Sequence, residues 1–212
     1  MTRRELLRSS ALLATPSPAP LEIPVHRLMD RNTRCGAAQI RAFFATIWDQ
    51  AVRDFAHGGI ALRVVERDGE VLKHPSGKPR FRCLDRSMIN VVITDRVPLD
   101  WDKGRSLPGV ATLYEGYCVC VVSINEAQGD RIPFFAVNTV VHELLHILLQ
   151  DVFTSRSGVF EGPEHDARVD SYATRLWLFG DGAAVRESAR ACLQRLPGSQ
   201  YRLPAGAPCP SF

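Results

Sequence analysis

Hydrophobic residues recur every three or four positions along several segments of the chain, which is the period of an amphipathic α-helix. Residues 37–57 follow this spacing, and the pair Gly58-Gly59 after them is a helix stop signal. A second helix, predicted over residues 134–153, is apolar nearly all round, which is typical of a buried helix. The same period predicts further helices over residues 164–179 and 183–196.

Runs of β-branched and aromatic residues between these helices are typical of β-strands. The run MINVVIT at residues 88–94 has the length and composition of a buried strand. A strand at residues 60–65 is followed by Asp68-Gly69, a dipeptide that favours a hairpin turn, and the return strand is expected at residues 71–72. The remaining predicted strands are residues 25–29 and residues 109–124, the latter broken near Glu115-Gly116.

The composition is that of an ordinary globular protein. The 212 residues are 45% hydrophobic and carry a formal net charge of +3, which is too apolar and too weakly charged for a disordered chain. The length suits one domain. No run approaches the roughly 18 uncharged apolar residues of a membrane-spanning helix. Basic residues are scattered rather than gathered in a stripe, so nucleic acid is not an expected partner.

The first residues have the charge order of an export signal. Arg3, Arg4 and Arg8 precede a short apolar patch and a stretch rich in Pro, Ser and Ala, and this arrangement resembles the twin-arginine pattern. Residues 1–24 are therefore expected to be a leader or a flexible segment, and residues 25–212 a single domain. Export to the periplasm or the extracellular space is the favoured location. The alternative is a basic tail on a cytoplasmic protein.

The cysteine content bears on the same question. An even number of cysteines suits disulfides in an oxidising compartment. The alternating geometry of a strand puts the side chains of Cys118 and Cys120 on the same side, where they are poorly placed to bond each other. Each cysteine is equally well explained as a small buried apolar residue. The full set is Cys35, Cys83, Cys118, Cys120, Cys192 and Cys209.

Candidate chemistry is concentrated in the apolar helix at residues 134–153, which contains H-E-x-x-H at His142, Glu143 and His146. Histidines four residues apart lie one turn apart on one helix face, so both imidazoles can bind one zinc ion. Glu143 projects beside that face, where it can act as general base toward a zinc-activated water. A buried helix carries such residues only where they are satisfied, and zinc satisfies all three. The alternative is two hydrogen-bonded core histidines with Glu143 on an exposed stripe.

A catalytic zinc ion usually has three protein ligands, so a third ligand is expected. His165 follows His146 after eighteen intervening residues. Pro163 can begin a helix that carries His165 in its first turn, directed back toward the first helix. His165 is therefore the favoured third metal ligand. Its rivals are Asp166 and Glu164.

A carboxylate is also expected beside one of the ligand histidines, because metal-bound histidines are commonly oriented through their other ring nitrogen. Asp166 and Asp170 are four residues apart and share one helix face. One of them can bind the metal while the other holds a ligand histidine, and Asp170 is favoured for the second role. Candidate donors to an oxyanion are Tyr114, Tyr172, Arg168 and Arg175.

At these residues the chain resembles the zincin metallopeptidases, whose active-site helix carries H-E-x-x-H. The resemblance implies an α+β fold in which a twisted mixed sheet and the active-site helix form a metzincin-like upper subdomain at residues 25–153. A small helical C-terminal subdomain is implied at residues 154–212. The resemblance also implies that the edge strand within residues 109–124 lines the cleft and pairs with an extended peptide substrate.

Departures from the family patterns leave the chain unassigned within the superfamily. Metzincins continue the motif with Gly and His where this chain has Leu149 and Val152, and no methionine follows Met88 to form their Met-turn. The eighteen-residue spacing is similar to the aminopeptidase branch of the gluzincins, but that branch has Glu where this chain has His165.

The predicted function is a zinc-dependent metallopeptidase that hydrolyses peptide bonds, with Zn²⁺ as cofactor and a peptide or protein as substrate. His142, His146 and His165 hold the zinc and Glu143 is the general base in this interpretation. Two alternatives come from other functional classes. One is a zinc-binding, zincin-like sensory or binding module without proteolytic activity, and the other is a structural domain without metal. The sequence specifies neither the substrate nor the oligomeric state.

Overall fold

The computed structural model describes residues 19–73, 79–97, 107–127, 129, 137–150 and 163–196, except for the side chains of residue 73 and residues 163–166. The arginines of the predicted leader, and residues 134–136 and 151–153 of the predicted second helix, lie outside the described residues. Among the described helices, none combines the length and the hydropathy that a membrane span requires.

A mixed six-stranded sheet forms the centre of the described structure, with strand order β3-β2-β1-β4-β6-β5. The four inner strands run parallel to one another, whereas the edge strands β3 and β5 are antiparallel to β2 and β6. Together with the helices, this sheet confirms the predicted α+β class. The strands are β1 (Leu21–Asp30), β2 (Ile60–Lys73), β3 (Pro79–Arg82), β4 (Ile89–Thr94), β5 (Gly109–Tyr114) and β6 (Tyr117–Ser123).

Four helices lie in the described part of the chain. The first, α1, is one continuous helix in three parts: Ala37–Phe43, a π-helical turn at Phe44–Trp48, and Asp49–His57. The last helical residue is His57, and Gly59, two residues later, has a φ of +72°, a conformation that glycine adopts without steric cost. The other three are α2 (Thr139–Leu148), α3 (Pro163–Phe179) and α4 (Ala183–Arg195).

The two faces of the sheet form two separate cores. On one face, alternate residues such as Ile23 and Val91 pack against all four helices. On the other face, Leu28 and Val92 belong to a smaller cluster that the sheet covers itself. The rings of Phe81 and Tyr114 come from the two opposite edge strands, yet their centroids are only 4.9 Å apart. The sheet is therefore curled until its two edges meet.

One predicted turn is wrong. Asp68-Gly69 does not form a hairpin, because β2 continues through it as one strand of 14 residues. Gly69 instead pairs with Asp30 of β1, and the Asp30 carboxylate accepts a hydrogen bond from the Val71 N–H at 3.1 Å. Long parallel pairing with β1 outweighs the local turn preference, and the antiparallel return strand is β3. Residues 21–24, which the sequence pattern assigns to the leader, are the first residues of β1.

The turn predicted near Glu115-Gly116 is present. β5 and β6 are joined by these two residues, with φ of +49° and +82°, as in a type I′ hairpin. The strand at residues 88–94 is confirmed as β4, all six residues of which are buried because the strand lies inside the sheet with side chains packed on both faces.

Candidate metal centre

The H-E-x-x-H sequence lies on α2, and every residue of this helix except His142 is buried. Asn138 caps the helix: its Oδ1 accepts hydrogen bonds from the N–H groups of Val140 and Val141 at 3.0 and 3.2 Å. The sequence interpretation did not single out Asn138, although an asparagine directly before an apolar periodic run is a helix start signal. At the other end Gln150 adopts a φ of +65°, so the helical conformation ends within the predicted span.

The two histidines of the motif converge. The Nε2 atoms of His142 and His146 are 2.9 Å apart, and the ring centroids are 4.6 Å apart at an interplanar angle of 76°. The ring of His146 is buried, and the side chain of His142 is 19% exposed. The spacing of one helical turn thus brings two ring nitrogens to one point at the edge of the core.

Asp170 of α3 contacts the other nitrogen of His142. The Asp170 Oδ1 atom is 2.8 Å from His142 Nδ1. Because an ionised carboxylate only accepts hydrogen bonds, a neutral His142 carries its proton on Nδ1 and keeps the lone pair on Nε2. The structure therefore brings Asp170 to the position that orients the His142 ring, with Nε2 directed toward His146.

Glu143 lies under the edge strand β5. Its side chain is buried, with 5% of the residue exposed, and Gly109 is packed directly against it. A Cβ atom built on Gly109 would be 2.7 Å from both Cγ and Oε1 of Glu143, closer than real Cβ contacts come. The beginning of the edge strand and the carboxylate are thus in direct contact. Nothing in the local sequence around Gly109 indicated this role, because the contact joins residues far apart in the chain.

The candidate third ligands lie in the first turn of α3. Glu164, His165 and Asp166 belong to this helix by their backbone, but their side chains lie outside the described residues. Among the residues whose side chains are described, no group of three or more His, Cys, Asp or Glu is arranged to hold a metal ion. The described part of the centre is therefore His142, His146, Glu143 and Asp170.

Three cysteines near α2 are buried in the hydrophobic core. Burial raises the pKa of Cys118 to about 12 and of Cys192 to about 11, and it also raises the pKa of Cys120 well above its ordinary value. These thiols lie within the main hydrophobic core, where they pack as small apolar residues. Cys35 is a free thiol as well, whereas Cys83 is disulfide-bonded.

The candidate oxyanion donors on the described elements are turned away from this centre. Tyr114 is at the far end of β5 from Gly109, about 17 Å along the strand at 3.4 Å per residue, and packs on Phe81. On α3, Arg175 bonds to the Asp181 carboxylate. At 3.6 residues per turn, the side of α3 that carries Asp170 is about 140–160° around the helix from Arg168, Tyr172 and Arg175. These three residues therefore lie on the other side of α3.

Comparison with known proteins adds no assignment. The chain matches no protein-family model, no curated protein and no solved structure.

Proposed function

We propose that the protein is a zinc-dependent hydrolase of peptide bonds with a zincin-like fold. The observation that carries the proposal is the convergence of two histidine Nε2 atoms at 2.9 Å, one of them on a ring that Asp170 holds through Nδ1, beside the carboxylate of Glu143. The buried α2 helix beneath an antiparallel edge strand supports the zincin-like part of the proposal.

The donor set fits a zinc ion. The Nε2 lone pair of His142, 2.9 Å from His146 Nε2, requires a proton or a cation between the two nitrogens. Zinc binds imidazole nitrogen at about 2.0–2.1 Å, so one ion can reach both His142 and His146. Asp170 supplies the carboxylate that commonly supports a zinc-bound histidine, fixing its tautomer and raising its basicity.

Helix periodicity favours Asp166 over His165 as the third ligand. The contact between Asp170 and His142 identifies the side of α3 that faces the centre. Position 166 is four residues before Asp170 and about 40° around the helix from it, whereas position 165 is about 140° around. Asp166 thus continues the Asp170 side of α3 by one turn, and His165 and Glu164 become the rivals.

Zinc bound at this centre supplies a Lewis acid that polarises a carbonyl and makes water more acidic. Glu143 accepts a proton from water and returns it to the leaving amine. Asp170 keeps the proton of His142 on Nδ1, so that Nε2 would be the atom that holds the ion. The burial of Glu143 beneath Gly109 limits access of bulk water to the carboxylate and holds it in one place.

The edge strand β5 is the proposed peptide-binding element. It pairs with β6 on one side only, and it is the last strand of the described sheet. In the hairpin register, Tyr114 and Thr112 lie in hydrogen-bonded pairs with β6, so the N–H and C=O groups of Ala111 and Leu113 point to the outer edge. An extended peptide can pair with these groups as an added strand, which directs a backbone carbonyl past Glu143.

The proposal is tested by zinc content and peptide hydrolysis of the purified wild-type protein and four variants. About one zinc per chain is expected for wild type, with loss of zinc in His142→Ala and Asp166→Ala but not in His165→Ala. Glu143→Gln should keep zinc and lose at least 100-fold in hydrolysis of a peptide mixture. Wild-type protein that binds no zinc when zinc is supplied would overturn the proposal.

A second candidate is a zinc-binding module that does not cleave peptides. The burial of Glu143 favours it, because only 5% of this residue is exposed and Gly109 covers the carboxylate. The two functions differ in one result. In a binding module, wild type and Glu143→Gln both bind zinc and neither hydrolyses any peptide.

A further inference from the structure

We propose that Asn138 is a positioning residue of the metal centre, because its side chain ties the π-helical turn of α1 to the first turn of α2. The inference rests on the proposed function for its consequence at the metal. Its structural basis, the bridge between two helices, stands on the contacts of Asn138 itself.

Asn138 is 3% exposed and uses both ends of its side-chain amide. The Nδ2 group donates a hydrogen bond to the carbonyl oxygen of Ile47 in the π-helical turn at 2.7 Å. The Oδ1 atom accepts from Val140 and Val141 in the first turn of α2. One side chain thus fixes the distance between two helices, each through a different atom.

The backbone of Asn138 leads directly to the metal centre. Its carbonyl oxygen accepts a hydrogen bond from the N–H of His142 at 3.0 Å. His142 therefore lies one hydrogen-bonded turn from the tie to α1, and Glu143 is the next residue. A shift of Asn138 moves both of them together.

The π-helical turn is a suitable fixed point. π-helical turns are rare and often mark functional sites. This one is held to the sheet by Arg27 of β1, whose guanidinium carbon lies 4.5 Å from the centroid of the Phe44 ring and 4.6 Å from that of the Trp48 ring. Arg27 is itself paired with the Glu66 carboxylate of β2. Asn138 thus transmits the position of the sheet to α2.

The two ends of the amide can be separated by substitution. Asn138→Ser and Asn138→Asp keep an oxygen that can cap α2, but neither can donate to the Ile47 carbonyl as the amide does. Both variants should retain the helix and lose its tie to α1. The position of His142 relative to Asp170, and of Glu143 relative to Gly109, then loses one of its restraints.

Zinc affinity is measured for wild type, Asn138→Ser, Asn138→Asp and a control, Val92→Ala. Val92 is buried on the opposite face of the sheet, so its truncation lowers the free energy of unfolding without touching the tie. The Asn138 variants should bind zinc about 10–100-fold more weakly than wild type, as when other supporting contacts of a zinc centre are lost. Equal affinity in all four proteins overturns the inference.

A second readout uses the metal-free protein and so separates this inference from the proposed function. Hydrogen exchange of the His142 amide should quicken in both Asn138 variants, and the ring nitrogen resonances of His142 and His146 should move, relative to Val92→Ala. If wild type binds no zinc but these changes occur, the proposed function fails while the tie stands. If zinc binds and neither the amide nor the rings respond, Asn138 has no positioning role.

Discussion

At the scale of single residues, the close contact with Glu143 requires glycine at position 109. A methyl group on Gly109 would lie 2.7 Å from Oε1 of Glu143, so the strand or the carboxylate must move. We expect Gly109→Ala to reduce hydrolysis about 10–100-fold, since a displacement of about 1 Å at a reacting group costs this much. Zinc content should stay at the wild-type value, because the histidines are not touched.

Gly36→Ala is the matched control for this substitution. Gly36 has a φ of −69°, and the nearest atom to an added Cβ would be Gln39 Oε1 at 3.8 Å, an ordinary contact. Its activity should equal that of wild type. Full activity in Gly109→Ala would mean that the Glu143 carboxylate is not held by the edge strand during catalysis.

The second residue-scale feature is a buried histidine on the other face of the sheet. The His26 residue is 2% exposed; its Nδ1 contacts Asn90 Oδ1 at 3.2 Å, and its Nε2 has no hydrogen-bond partner among the described residues. Burial lowers the pKa of His26 below its ordinary value of 6.5. Folded protein therefore keeps this ring neutral where an unfolded chain would already bind a proton.

This lowered pKa predicts a loss of stability in mild acid. The unfolded state binds the extra proton, so the contribution of His26 is complete above pH 6.5 and decreases as the pH falls below it. The slope is at most about 1.4 kcal/mol per pH unit for one group. The free energy of unfolding in urea, measured for wild type and His26→Leu from pH 8 to pH 5, should decrease more in the wild type. The same dependence of unfolding free energy on pH in both proteins would contradict the prediction.

At the scale of elements, the β5–β6 hairpin turns through a residue that is poorly suited to its backbone. Glu115 has a φ of +49°, where a side chain other than Asn, Asp or Gly is strained. Type I′ turns prefer Asn-Gly, and this turn already has Gly116 at its second position. Glu115→Asn should raise the free energy of unfolding by about 0.5–1 kcal/mol. Chemical denaturation of the two proteins measures the difference.

Gly116→Ala provides the opposite change in the same turn. In the described part of the chain, no atom lies within 4 Å of a Cβ atom built on Gly116, so the expected cost comes from its φ of +82°. We expect a loss of about 1 kcal/mol. If neither substitution changes stability, the turn does not adopt the I′ conformation in solution.

Elements with strong local signals were predictable from the sequence, and those decided by pairing were not. Three signals depend only on neighbouring residues: the apolar period of α1 with the glycines after it, the apolar run of β4, and the two-residue turn before β6. Asp68-Gly69 carries an equally good turn signal, yet it lies inside β2. There the pairing with β1 from residue 21 to residue 30 competes with the turn and prevails.

At the scale of the whole molecule, zinc binding should raise the free energy of unfolding and the Tm. A ligand that binds only the folded state at 100 times its Kd adds about 2.7 kcal/mol, or roughly 5–10 °C in Tm for a chain of this size. A chelator should remove this increment from wild type and leave His142→Ala unchanged. Identical Tm values of wild type with chelator and with excess zinc would contradict a metal centre in the folded state.

The arrangement of the site within the molecule could be predicted only in part. The helical spacing of His142 and His146 was sufficient to bring both rings to one face. The sequence also led us to expect Asp170 beside one of these histidines. The resemblance implied that the edge strand within residues 109–124 lines the cleft. The contact of Gly109 with Glu143 was not predicted, because the folding of the sheet against α2 brings these distant residues together. The tie from Asn138 to Ile47 joins residues 91 positions apart and has no sequence signature either.

The sequence by itself determined the local features: helices from the apolar period, the two-residue turn from Glu115-Gly116, and the convergence of His142 and His146 on one face of α2. These depend on interactions within a few residues, which local composition encodes. Tertiary structure alone decided the strand order, the curl that brings Phe81 to Tyr114, and the contacts that Gly109 and Asn138 make around α2. Those contacts join distant segments, and only the packing of the helices on the sheet selects them.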